Sequence, residues 1–225
     1  MQIGKLIKWT ASATRVAAAK ARLGRRLRLP HGGKPVYLGR GARLVVEEGG
    51  SMELERGAYV DDRCRLQVCA GARMSLGEGC YLNTNCRVVA AESVSVGAHT
   101  MFGPNVCVFD HDHVFDAEGV HGDLASAPIA IGDRCWLGAN VLVTKGASIV
   151  DGVCVGGGSV VVRSLGEPGV YVGAPSHLVR GFGHAGGGLD EPPAKSEKAQ
   201  TRDGSPQDTQ RAVAAQHLQG PREGA

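Results

Sequence analysis

From residue 131 to 162 an aliphatic side chain returns at every sixth position: Ile131, Leu137, Val143, Ile149, Val155 and Val161. The fifth place of each six holds Cys135, Val141, Ala147, Val153 and Ser159, small or β-branched until Leu165 ends the run, and Gly132, Gly138 and Gly156 take the second place. Neither the helical period of 3.6 nor the strand period of 2 produces a strict six. A repeat this short predicts a solenoid, a prism whose walls are short strands and whose chain turns every six residues. One aliphatic side chain then points into a narrow interior, a smaller one faces it near the bend, and glycine relieves the backbone there. A single coil cannot bury its apolar face, so several must stack.

A looser form of the pattern runs upstream through Leu38 and Leu44, then Leu54, Val60 and Leu66, then Leu76, Leu82 and Val88, then Val96, Phe102 and Val108. The groups come in threes, as the walls of a three-sided prism would, and the ten-residue step from Leu66 to Leu76 places extra residues at corners. Register lapses between Val108 and Ile131, and residues 109–128 are read as a loop off the prism. A loop of that length in a compact repeat protein is usually functional.

The ends differ from the middle. Residues 2–28 carry Lys5, Lys8, Arg15, Lys20, Arg22, Arg25, Arg26 and Arg28 with no acid, and predict a basic helix with a weak apolar face. Two roles are open to it: packing on the solenoid end or a neighbouring subunit, or touching anionic lipid as a peripheral membrane contact. It lacks the apolar run of a signal peptide or a membrane span. Pro30, His31, Gly32 and Gly33 break it. Residues 184–225 hold almost no large apolar side chain and are expected to be a disordered tail. The expected organisation is 1–34 helix and linker, 35–183 repeat domain, and 184–225 tail.

Composition sharpens this in three ways. The 34 glycines exceed the roughly 16 that a usual 7% would give, as a fold with a turn every few residues requires. A net charge of +3 is too small to indicate nucleic acid. Seven cysteines, an odd number without Cys-x-x-Cys spacing, argue against a disulfide framework and a zinc site, and imply a reducing compartment. Cys64, Cys80, Cys86 and Cys135 each stand four places after an aliphatic starter, the slot for a small buried side chain.

The candidate chemistry gathers in the loop: Asp110, His111, Asp112, His113, Asp116, His121 and Asp123. Histidine is suited to taking a proton near neutral pH, and any of Asp110, Asp112 and Asp116 could orient an imidazole. An incidental polar loop is the plain alternative. A metal held between subunits by His99, His111, His113 and His121 with carboxylates is a further one.

The sixes, Pro104-Asn105-Val106 ahead of Asp110-His111-Asp112-His113, Trp136-Leu137-Gly138 and the closing Gly173-Ala174-Pro175 resemble the hexapeptide-repeat acetyltransferases. The likeness is to the maltose, galactoside and nodulation-factor sugar O-acetyltransferases and their polysaccharide-modifying relatives. The resemblance implies an all-β, left-handed parallel β-helix assembled as a homotrimer, against the usual right-handed crossover rule, with acetyl-CoA in a groove between neighbours and no metal. It implies that His113, seven residues after Val106, removes the proton from a saccharide hydroxyl, with His111 as second candidate. Acceptor contacts are implied at Asn85 and Asn83 of Tyr81-Leu82-Asn83-Thr84-Asn85, and at Asp112 and Asp116. Asn85 has the alternative of a turn residue at a coil corner. The resemblance further implies cofactor contacts at Trp136, Gly138, Ala139, Gly157, Arg163 and Arg180. The chain departs from the family pattern at Val162-Arg163, where Thr-Lys is frequent, at His177, where a basic residue is, and in its basic rather than acidic N-terminal segment. That last departure points to the polysaccharide-modifying branch, acting on a lipid-linked or envelope saccharide at the inner membrane face, and the expected localisation is cytoplasmic. A non-catalytic trimeric scaffold is the competing class. A γ-carbonic-anhydrase-like metal site is disfavoured, because no two histidines stand with four residues between them.

Overall fold

The computed structural model describes residues 2–182, the first compact unit of the chain; the expected tail lies outside the described residues. Three parallel sheets wall a prism. Wall one stacks Leu27–Arg28, Ser51–Leu54, Arg73–Leu76, Ser93–Val96, Ile129–Ile131 and Ser148–Ile149. Wall two stacks Tyr37–Leu38, Tyr59–Val60, Tyr81–Leu82, Met101–Phe102, Trp136–Leu137, Cys154–Val155 and Gly169–Val172, and His177–Gly181 closes it antiparallel. Wall three stacks Arg43–Val46, Arg65–Val68, Arg87–Ala90, Cys107–Phe109, Leu142–Val143 and Val160–Val161. The first strand, Leu27–Arg28, falls at the end of the segment read as helix, which stops at Leu23, and pairs with Met52 and Glu53, so the prism begins there.

Register is set by the starters. Leu38, Val60, Leu82, Phe102, Leu137 and Val155 lie side by side on wall two, and every one is buried. The fifth-place residues from Cys135 to Leu165 are buried as well. Each inward side chain thus meets its counterpart in the coils above and below, the contact that makes stacked repeats cooperative. The longer upstream steps have a simple cause: walls three and one there carry four-residue strands, adding Val46, Val68, Met52 and Met74 to the core. The surplus residues fall at the corner between these two walls.

Second-place glycines answer a close approach. A Cβ on Gly77 would lie 2.7 Å from Ala98 N and 3.0 Å from its Cα, both backbone of the next coil. Gly77→Ala is therefore expected to cost about 1–3 kcal/mol of stability through overpacking, read as a lowered urea midpoint with no change in slope. All seven thiols are free, and burial pushes Cys80 up to about 12.

The first coil has no predecessor, so its strand edges would face water with unpaired N–H and C=O groups. Helix α1 (Gln2–Leu23) covers them. Ser12 Oγ accepts from Leu38 N–H at 2.7 Å, while Arg15 Nε donates to Leu38 O at 2.8 Å. Arg22 donates to Leu44 O at 2.7 Å and Arg26 to Val46 O at 2.8 Å. Ala19 and Leu23 join the main core. Trp9 meets Tyr37 edge-on at 5.1 Å, and Tyr37, Tyr59 and Tyr81 stack in a column. The helix packs on the solenoid end, and several of its cations serve backbone carbonyls.

Candidate active site

The segment expected as a loop is an antiparallel hairpin, His111–Asp116 paired with Gly119–Ser126, with a register shift between His113 and Phe115. It springs from the corner between walls three and one, the place where shorter surplus segments sit in the coils below. Its root is Asp110, which is fully buried. The carboxylate accepts backbone N–H bonds from Ala91 at 2.7 Å and from Glu92 and Ser93 at 2.8 Å. The same group lies 3.0 Å from His111 Nδ1. An ionised carboxylate only accepts, so Nδ1 carries the proton and Nε2 is left free to take one.

His111 is held in this way with its side chain 19% exposed. His113 is exposed and stands opposite Leu124 on the hairpin. Asp112 pairs with Lys145 Nζ at 3.2 Å, which ties the hairpin to the coil above. Asp116 pairs with His121 Nε2 at 2.9 Å, and that contact holds its carboxyl below the usual range. Both acids implied as acceptor contacts are thus engaged within this chain. Lys145 was not singled out from sequence; the signal was a lone cation at the same corner one coil after Asp110.

The other implied residues fall on different edges. Trp136 is exposed on wall two and shares its outward column with Cys154, Val170 and Arg180, each paired to the next. Gly138, Ala139 and Gly157 stack at the corner between walls two and three, where a Cβ on Gly138 would come 2.6 Å from Gly157 N. Arg163 follows Val161 of wall three and precedes Leu165, which bridges to Ile149 of wall one. It therefore shares an edge with the hairpin and Lys145. Asn85 has φ +63° and donates to Asn105 Oδ1 at 2.7 Å, and Asn105 donates to Asn140 at 3.1 Å. It sits in a corner ladder of turn asparagines, the alternative raised for it from sequence. Asn83 is half-buried one coil below Gly103 and accepts from Thr84 N–H at 2.7 Å.

Within one chain the hairpin edge and the wall-two column are distinct faces. Among the described residues no group of three or more His, Cys, Asp or Glu is placed to hold a metal.

No protein-family model matches the chain. It is 34% identical over 110 residues to WbbJ of Escherichia coli (strain K12), to which O-acetyl transfer in lipopolysaccharide biosynthesis is ascribed by name; the match covers 43% of this chain and 55% of that protein. It is 35% identical over 89 residues to WcaF of the same organism, named for colanic acid biosynthesis, covering 39% of this chain and 47% of WcaF. Galactoside O-acetyltransferase of Escherichia coli (strain K12) is 30% identical over 94 residues, 41% of this chain and 46% of the enzyme. The chain thus spans about half the length of the curated relatives it matches. Among solved structures, an S84T mutant of the Bacillus cereus N-acyltransferase AntD, in complex with dTDP and coenzyme A, superposes with a TM-score of 0.54 at 16% identity, covering 74% of this chain and 89% of AntD.

The fold is the left-handed parallel β-helix. These similarities support the resemblance to the hexapeptide-repeat acetyltransferases of the sugar-modifying type.

Proposed function

We propose that this chain is an acetyl-CoA-dependent O-acetyltransferase that modifies a saccharide hydroxyl in exopolysaccharide, lipopolysaccharide or envelope-glycan biosynthesis, as a cytoplasmic homotrimer at the inner membrane face. The observation that carries the reading is the buried Asp110 carboxylate fixing His111 at the root of a projecting hairpin. WbbJ, WcaF and galactoside O-acetyltransferase supply the reaction class by likeness, and the coenzyme A held by AntD on the same fold fits the donor.

In this reading His111 Nε2 takes the proton of the acceptor hydroxyl, and the oxygen attacks the thioester carbonyl of acetyl-CoA. A backbone N–H donates to the oxyanion, and the intermediate collapses to the acetyl ester as the coenzyme A thiol leaves with the proton from the imidazolium. His113, the first choice on family spacing, competes with His111; the anchoring by Asp110 favours His111. Trp136, Gly138, Ala139, Gly157 and Arg180 would line the coenzyme groove, and Arg163 would meet its phosphates from the hairpin edge. Asn83 and Asn85 are the candidate acceptor contacts, and the Asn85 side chain is already bonded in its ladder.

The same geometry supports the trimer reading. One chain carries the hairpin edge and the wall-two column on different faces, and side-by-side packing joins one chain's hairpin to its neighbour's wall. Phe115, 73% exposed, and Val120, 75% exposed, give the hairpin an apolar surface for that contact.

The test is thiol release from acetyl-CoA with a panel of free and lipid-linked saccharides. Acceptor-stimulated release is expected, with KM for acetyl-CoA raised roughly tenfold in Trp136→Ala and kcat little changed, the pattern of a lost binding contact. No stimulation by any acceptor, together with no binding of acetyl-CoA, would assign the chain to the scaffold class.

A further inference from the structure

We infer that the outer side of helix α1 is a docking surface for an anionic lipid bilayer, which deepens the envelope-glycan reading by naming the surface that brings the enzyme to its acceptor. The inner side of the helix is occupied, with Ser12, Arg15 and Arg22 bonded to the first coil and Ala19 and Leu23 in the core. The outer side is open. Leu6 is 66% exposed and Ile7 62% exposed, adjacent aliphatics in the first two turns. Beside them an open groove of about 640 Å³ runs between the helix and residues 29–36, lined by Trp9, Ala13, Val16, Leu29, Pro30 and Val36. Lys20 and Lys34 stand at its rim.

The segment that builds this apolar surface carries charge of one sign, and the nearest acids, Glu53 and Glu55, lie on the next coil beyond Leu29 and Pro30. Residues 2–46 hold eleven Lys and Arg and no Asp or Glu; the first acid of the chain is Glu47. End-capping employs Arg15, Arg22 and Arg26, with Lys20 on Gly24 O and Leu27 O, but a hydrogen bond to a carbonyl leaves the charge in place. An apolar ridge and groove whose own segment carries cations and no acid match a bilayer whose surface is anionic, with Leu6 and Ile7 entering the acyl boundary and lysines meeting phosphates. A protein partner would need an acidic rim around an apolar knob. No helix among the described residues is long and apolar enough to cross a membrane, and the inferred attachment is a lateral one through α1.

The experiment is co-flotation of the full chain with vesicles of phosphatidylcholine alone or with about 30% phosphatidylglycerol, at low and high salt, since screening weakens surface attraction. The wild type should float with anionic vesicles, lose about tenfold in affinity at high salt, and remain behind with neutral ones. Leu6→Glu/Ile7→Glu, which leaves the capping residues intact, should lower anionic-vesicle affinity at least tenfold while acetyl transfer to a soluble acceptor is unchanged. In a Trp136→Phe background, Trp9 is the one remaining indole, and its emission should shift to the blue on binding. Failure of the wild type to float, equal flotation with neutral vesicles, or an unaffected double variant would overturn the inference. A double variant that alters the oligomeric state in sedimentation without altering flotation would give the surface to a second copy. Because flotation needs no turnover, its outcome is separate from that of the acetyl-transfer assay.

Discussion

His111→Ala should lower kcat for saccharide-dependent transfer by on the order of a hundredfold or more, with KM for acetyl-CoA little changed, because a general base acts in the transition state rather than in binding. His113→Ala should cost tenfold or less. The asymmetry rests on preparation. His111 has a fully buried carboxylate 3.0 Å from Nδ1, so its tautomer and ring plane are set before substrate arrives. His113 has no such anchor within its own chain's described hydrogen bonds and must be oriented by the acceptor or the neighbouring subunit. The paired variants decide the matter by steady-state kinetics: a reversed order would move the base to His113 as the family spacing implies, and an intact rate in both would remove histidine from the mechanism.

Asp110→Ala should be the most damaging single change to stability outside the aliphatic core, at about 3 kcal/mol. Three backbone N–H donors at the corner after wall three would lose their acceptor in a buried site, and each orphaned donor is costly. Urea denaturation measures it. Asp110→Asn separates the two duties of the residue. The amide oxygen can still accept from Glu92 and Ser93 N–H, so part of the stability should survive, while the NH₂ in the place of Oδ1 loses the Ala91 bond and favours the opposite tautomer of His111. A kcat loss on the order of a hundredfold or more in a well-folded protein is the expected signature. A fully active Asp110→Asn would show that the carboxylate serves the fold alone.

The prism was legible because each inward residue touches its own counterpart in the next coil, so the sequence repeats what the structure repeats. Even the degenerate starters from Leu38 to Val108 lie buried in register. The hairpin was not legible as strands. Both of its faces are exposed after His111, so no alternation of apolar and polar residues was needed to fix its register. Asp110 was one of several acids credited with orienting a histidine, and the burial that distinguishes it depends on amides nearly twenty residues earlier. Chemistry at a single edge leaves no period to read. The basic helix was visible as a helix, with packing on the solenoid end as one of its two open roles, but the duty of its cations was not legible, because carbonyls at an open strand edge leave no mark on the sequence.

Those carbonyls also bear on what the molecule avoids. A stack of coils has no intrinsic length, since the last strand of one copy offers the next the same template that each internal coil offers its neighbour. Helix α1 occupies the carbonyls of the first coil, and the antiparallel turn-back of His177–Gly181 interrupts the parallel run at the other end of wall two. With the first coil covered and wall two turned back, copies that meet through their flanks can close into a ring instead of extending the open-ended filament that the repeat would otherwise favour.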